Sequence, residues 1–487
     1  MPSGAPRPPS SLLPALPLLA ALSACASASP PPCAFSARDA APPPPGAPPY
    51  RYRLEAGPGA EELCVELTLP PGTRTLRGGR ALQPFIRDLA TTVDEGWYLA
   101  TPRDPGWTLD DCESGCRARY RFLLRNAARS LDDSDTARAH GGAFLAPPSS
   151  FLLRPPLASP DARYRLSVTT PPGVRFVTGV LHETPVGDDV VGRLGDLIDA
   201  PYSAFGPFTR TRVALPGGTL DIALIGGEPT MGRARLEQWI EAQARAVSAY
   251  FGGFPIAHAA VLVTLDPGDA IGNGRTMGNG GASVLLQVGA RIDPSTLLDD
   301  WVLVHELCHV AFPNVLRPWV EEGLATYLEP IIRVHQGALT RDDFWGSMIE
   351  GLPQGQPEEG DRGLDLTDTW GRRYWGGAMF WFLADVEIRK ASGGARGLRD
   401  ALRAIVQAGG NVTVTWTLDR ALAVGDAATS GHALGDLRKR LGGAPVTIDL
   451  DQLWRELGVR LQGDQVVYDD SAPLAAIRAA ITAAPPR

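Results

Sequence analysis

Between residues 50 and about 215, apolar and polar positions alternate in short runs: "YRYRLEA", "ELCVELTLP", "ARYRFLLR", "RYRLSVTTP" and "VRFVTGVLHE". Gly, Pro and Asp separate them. A period of two broken by turn formers predicts half-buried strands, and this many in succession predict a β-sandwich. Near residue 230 the period lengthens. "RARLEQWIEAQARAVSAYFGGFP" places apolar residues at helical spacing and stops at Gly-Gly and Pro. "AAVLVTLD" reads as a strand, and "GNGRTMGNGGASVLLQVG" as a Gly-rich loop feeding a second strand, "ASVLLQV". "PSTLLDDWVLVHELCHVAF" and "PWVEEGLATYLEPIIRV" read as helices, the latter with Pro318 in its first turn. From 340 onward helices dominate, as in "RYWGGAMFWFLADVEIRK" and "GLRDALRAIVQA". A 487-residue chain is too long for one core. The pattern therefore predicts a multidomain α+β chain: a β domain at 50–215, a mixed α/β core at 216–345 and a mainly helical region at 346–487.

The first 49 residues carry no such pattern. Arg7 precedes a short apolar run, "LLPALPLLAALSAC", too short and too broken by Pro to span a membrane. A basic start, an apolar centre and small residues describe a secretory signal over residues 1–24. "LSAC" resembles a bacterial lipobox. That resemblance implies export and lipidation of Cys25, anchoring the chain at a bacterial membrane on its periplasmic face or at the cell surface. Residues 25–49 read as a Pro-rich tether. An exported chain can form disulfides. Apart from Cys25 and Cys308, four cysteines remain. Cys112 and Cys116 can close a small loop, which leaves Cys33 with Cys64. Net charge is −8, which gives a nucleic-acid partner no electrostatic support. Nothing in the sequence sets the oligomeric state.

The candidate chemistry lies in "WVLVHELCHVAF". His305 and His309 are four residues apart, so both imidazoles project from one helix face and can share a tetrahedral metal. Glu306, beside His305, can reach an activated water without ligating. A catalytic zinc needs a third protein ligand. Glu322, in "WVEEGLATYLE", can supply it if the second helix folds back on the first. Glu329, seven residues on, shares that face and can orient a ligand histidine. Cys308 reads as a small buried group, and His140, His182, His258, His335 and His432 as packing or surface residues.

"HELCH" followed by "WVEEGLATYLE" resembles the gluzincin zinc metallopeptidases, most closely the glycyl aminopeptidase family, whose members often carry a PDZ domain, and more distantly the alanyl aminopeptidase family. The similarity spans about residues 50 to 440 and is strongest at 300 to 400. It implies a thermolysin-like core, one Zn²⁺ per chain on His305, His309 and Glu322, Glu306 as general base, and a peptide or protein substrate. In "YWGGA", Tyr374 takes the place of an oxyanion-stabilising Tyr, with Gly377 and Ala378 matching. The chain departs from the pattern in three places. Only twelve residues separate His309 from Glu322. The segment "GNGGASVLLQ" lacks the carboxylate with which aminopeptidases of this group grip a free amine. "LWRELGVRLQGDQVVYDD" carries no PDZ signature. The strand at 281–288 can receive a peptide by β-addition, with Gly280, Gly281 and Ala282 allowing close approach. The readings in play are an active zinc peptidase of exo- or endo-mode, a silent lipoprotein that binds or assembles, and a zinc hydrolase of other amides.

Overall fold

The computed structural model describes residues 33, 35, 48–93, 96–109, 112–133, 135–184 and 189–484. The expected signal, Cys25 and most of the tether lie outside them.

The alternation after residue 50 becomes a seven-stranded sheet and a four-stranded sheet. In Tyr50–Ala56, Tyr50, Tyr52, Leu54 and Ala56 turn inward while Arg51, Arg53 and Glu55 turn out. The order across the larger sheet is Val190–Arg193, Arg163–Thr169, Tyr50–Ala56, Leu63–Leu69, Cys116–Phe122, Ile86–Val93 and Gly96–Leu99. The smaller runs Arg175–Thr178, Ser203–Gly206, Ala143–Ala146 and Arg138–His140. Their inner faces share one apolar cluster, in which Tyr52 and Tyr120 meet Phe144, Phe176 and Phe205. The two buried phenols donate to the Leu153 and Phe151 carbonyls, each at 2.8 Å, so neither polar tip is stranded. The cysteines pair as Cys33–Cys64 and Cys112–Cys116.

The next sheet has five strands: β1 (Thr209–Leu215), β2 (Gly218–Ile225), β3 (His258–Asp266), β4 (Ile271–Met277) and β5 (Ser283–Gly289). Their spatial order is β1-β2-β3-β5-β4, with β2, β3 and β5 parallel and the two outer strands antiparallel. Two sequence expectations fail here. β1 pairs with β2, so the break between the lobes falls before Thr209 rather than at 215/216. "IGNGRTM" is a strand, not a loop, because its backbone pairs with β5. Its glycines lowered the strand signal in sequence. Ladder bonds and the helix packed across it supply what propensity does not.

Helices α1 (Arg233–Phe251) and α2 (Val302–Val310) pack on this sheet, α3 (Pro318–Gln336) packs on both helices, and α4 (Gly377–Ala391) packs on α3. One apolar cluster runs from Leu215 to Ile481, so 216–345 and 346–487 are not separate cores. α3 and α4 touch backbone to backbone where Gly323 meets Gly377: a Cβ on either would strike main-chain atoms of the other helix. That close crossing brings the start of α4 over the histidine face of α2. A smaller cluster, including Leu145, Val177, Tyr202, Ile225 and Leu262, joins the lobes. Among the described residues no helix is long and apolar enough to cross a membrane.

Candidate metal centre

α2 is held by Leu303, Val304, Leu307 and Val310, each at most 1% exposed. Burying that stripe aims His305, Glu306 and His309 into a cleft of about 470 Å³. Pro318 starts α3, which folds back on α2 within seven residues. Glu322 Oε2 then lies 3.2 Å from His305 Nε2 and 3.6 Å from His309 Nε2. The three ligand-capable atoms fall within 4.8 Å of one another. Two imidazole nitrogens and one carboxylate oxygen are the donor set of an open zinc site, and these residues fit such an ion. Of the adjacent pair, Glu321 turns away and accepts the Val315 N–H at 2.9 Å, pinning the short turn between the helices.

Charge is tightly coupled here. Burial pushes the Glu322 carboxyl up, but the two imidazoles outweigh it and hold it well below the usual range. Burial pushes His309 down; Glu322, Glu306 and Glu321 reverse this and raise it to about 8. Glu306, 8% exposed, is held from the sheet side: Thr276 Oγ1 lies 2.7 Å from its Oε2 and 2.8 Å from its carbonyl oxygen. Gly274 leaves room for it, since a Cβ there would sit 2.6 Å from Glu306 Cγ. Tyr374 lies in a single π-helical turn, Arg372–Gly376, leading into α4, with its ring 6.5 Å from that of His305. Its hydroxyl is pushed up, by burial first and then by Glu322.

Four expected site residues, Glu329 and the Gly280–Ala282 stretch, are elsewhere. Glu329 does not face a ligand histidine; it accepts from Arg333 at 3.0 Å, and Arg333 also donates to the Asp299 carbonyl at 2.9 Å. Burial, only partly offset by Arg333, raises the Glu329 carboxyl to about 7. Seven residues keep Glu329 near the face of Glu322 but carry it two turns, about 10 Å, along the axis, past the histidines to Arg333. Gly280, Gly281 and Ala282 do not meet the cleft as a binding strand. Ala282 N–H donates to the Gly179 carbonyl at 2.8 Å, and Gly281 bridges Val180 of the N-terminal lobe. β5 is interior, paired on both sides, and so has no free edge. The edge strand is β4, whose Gly272–Thr276 stretch lines the cleft.

His182 and His258, read in sequence as packing or surface residues, and Asp221, not singled out there, have ligand-capable atoms within 4.8 Å of one another. They form a seam between the lobes. Arg210 and Arg212 bond the fully buried Asp221 at 2.7 and 2.8 Å. His258 Nε2 meets the Thr178 carbonyl at 3.0 Å, and the two imidazoles stack at 3.9 Å. Two guanidiniums already balance the one carboxylate, so a cation would be repelled. Alternation along "TRTRVAL" and "GTLDIALI" marks Arg210, Arg212 and Asp221 as same-sheet residues; their cross-lobe partner is not visible in sequence.

No sequence-family model matches the chain, and no curated protein matches it. Solved structures share its fold. An aminopeptidase N family protein from Idiomarina loihiensis superposes with a TM-score of 0.61 at 14% identity, over 85% of this chain and 79% of its own. An M1 zinc metallopeptidase from Deinococcus radiodurans gives 0.51 at 16%, over 82% and 94%. A mutant of the Deinococcus radiodurans enzyme bound to a Tyr-Ser-Ala substrate gives the same values. The chain is similar in fold to these M1 zinc metallopeptidases: mixed α/β, multidomain, with a helical C-terminal region.

Proposed function

We propose that this chain is a zinc-dependent metallopeptidase, with an N-terminal β-sandwich and a thermolysin-like core, held at a bacterial membrane by a lipid on Cys25. The observation that carries the chemistry is the convergence of His305, His309 and Glu322 within 4.8 Å, with Glu306 alongside and Tyr374 across the cleft. His305, His309 and Glu322 would hold one Zn²⁺, which supplies a water of lowered pKa and a Lewis acid for the scissile carbonyl. Glu306 takes the proton of the attacking water and later gives it to the leaving amine. Thr276 keeps the Glu306 carboxylate oriented for that transfer. Tyr374 donates its hydroxyl hydrogen to the developing oxyanion; a phenol, with an ordinary pKa of about 10, carries that hydrogen at neutral pH.

The gluzincin relationship is supported by fold; whether the chain is of the glycyl or alanyl type is left to substrate preference. β4 carries Arg275 and Thr276 where a carboxylate would grip a free amine, which favours cleavage that ignores the N-terminus. The test is metal analysis of the purified protein with a peptide-library digest. Wild type should hold about one zinc per chain, and Glu306→Gln should keep it and lose cleavage. A wild type that stays metal-free in excess zinc overturns the proposal. Peptides with blocked N-termini separate endo- from exo-cleavage.

A further inference from the structure

Of the eleven tryptophans, all described, only two are exposed: Trp301 at 50% and Trp370 at 62%. Trp301 lines the cleft, and Trp370 packs beside Tyr374, which lines it too. Trp301 stands at the start of α2, its ring 5.3 Å from that of His305. Trp370 lies one turn before Tyr374, with ring centroids 5.7 Å apart and planes tilted by 33°. Tyr374 in turn lies 6.5 Å from His305. The rings form a continuous arc, Trp370–Tyr374–His305–Trp301, whose two ends are open to solvent.

Large aromatic surface left in water is unfavourable, and a pair of indoles beside one cleft marks a binding surface. The charges in the cleft point the same way. Glu306 is held by Thr276, Glu322 by the histidines and Glu321 by the Val315 N–H. Each of the three carboxylates lining the cleft is engaged, so grip on a substrate falls to shape and apolar contact.

Resting on the peptidase reading above, we propose that Trp301 and Trp370 set substrate preference, each receiving a large apolar side chain of a polypeptide lying across the metal centre. The substrate class is peptide segments with Phe, Leu or Trp flanking the scissile bond. The indoles touch residues on either side of that bond and leave the reacting atoms to Glu306 and Tyr374.

The test uses two internally quenched peptides with blocked N-termini, one Phe/Leu-flanked and one Ala/Gly-flanked. The proteins are wild type, Trp301→Ala, Trp370→Ala and Trp370→Phe. Each alanine variant should raise KM for the apolar peptide about 10- to 100-fold, leave kcat nearly unchanged and leave the Ala/Gly peptide unaffected. Trp370→Phe should recover most of the loss. Zinc content and circular dichroism control for folding. Binding of the apolar peptide to zinc-loaded Glu306→Gln, by fluorescence polarisation, reads the surface without turnover. If wild type cleaves and the alanine variants keep its KM and its peptide preference, the proposal is overturned and the peptidase reading stands. If wild type cleaves nothing but Glu306→Gln binds the apolar peptide in a Trp-dependent way, the surface stands and the peptidase reading falls. If Trp370→Ala changes only the oligomeric state, the rim is a contact between copies and the proposal is overturned.

Discussion

Gly274→Ala is the sharpest perturbation available, because it adds one methyl group and no strain. Gly274 lies within a paired strand and its φ is not among the positive ones, so alanine is conformationally acceptable there. What changes is space. The new Cβ would lie 2.6 Å from Glu306 Cγ, 2.7 Å from Val302 Cγ1 and 2.9 Å from Glu306 Oε1. Carbon atoms in contact settle at about 3.5–4.0 Å, so Glu306 must retreat by about 1 Å. α2 cannot move away as a body, since Leu303, Val304 and Leu307 on its other side are at most 1% exposed. The carboxylate therefore swings, stretching its bond to Thr276. A misplacement of about 1 Å at a catalytic group costs on the order of 100-fold in rate, or roughly 2.7 kcal/mol of barrier. Overpacking adds about 1–3 kcal/mol of lost stability. The assay is kcat on a quenched peptide, with zinc by elemental analysis and Tm by calorimetry. Zinc should remain near wild-type level while kcat falls about 100-fold. Gly272→Ala, whose Cβ meets Gln287 at 3.0 Å (Oε1) and 3.1 Å (Cβ) and does not touch Glu306, is the control on the same strand and should keep zinc and most of kcat. A Gly274→Ala enzyme with wild-type rate and Tm would refute both the seating of Glu306 against β4 and its role as base.

Two further outcomes follow from the same contacts. Thr276→Val removes the donor to the buried Glu306 carboxylate, worth about 1–3 kcal/mol, so kcat should fall roughly 10-fold or more while Thr276→Ser keeps most of it; equal loss in both variants would argue against a hydrogen-bonding role. The His182–His258 seam should make the fold acid-sensitive: burial, reinforced by His258 and Arg212, pushes His182 down to about 3, and burial likewise lowers His258. With folded pKa values below the ordinary ~6.5, the unfolded chain binds more protons, so stability is full above that value and is lost as pH falls towards 3. Asp221, depressed to about 2 by Arg212 and Arg210 against the effect of burial, stays charged across this window. Tm measured from pH 7.5 to 4.5 should decline, and His182→Gln should flatten the decline; an unchanged slope would sink the assignment.

How much of this was legible in the chain depends on how local each signal is. His305, Glu306, His309 and Glu322 were visible because helical period alone puts the first three on one face, and a short Pro-started return brings the fourth back. Gly323 and Gly377 were visible as letters but not as a reason; the reason is a helix crossing so close that neither position tolerates a Cβ. Glu329 was misplaced because sharing a face says nothing of height: two turns on, about 10 Å along the axis, Arg333 holds it instead. The largest error was β4. "GNGRT" scores as loop by propensity, and only pairing with β5 and the helix above it make it a strand. That error moved the expected substrate edge one strand inward, onto Gly280–Ala282, where the backbone is already committed to the N-terminal lobe. The correction has a chemical consequence. Gly274 of β4 stands directly against Glu306, so its smallness makes room for the proposed base. Of the strand's other side chains, Thr276 bonds Glu306 at 2.7 Å, and Arg275 reaches Asp135 of the N-terminal lobe at 2.6 Å. None of the strand's side chains, Ile271, Asn273, Arg275, Thr276 and Met277, is a carboxylate that could hold a free amine, which agrees with the proposed selection at the aromatic rim.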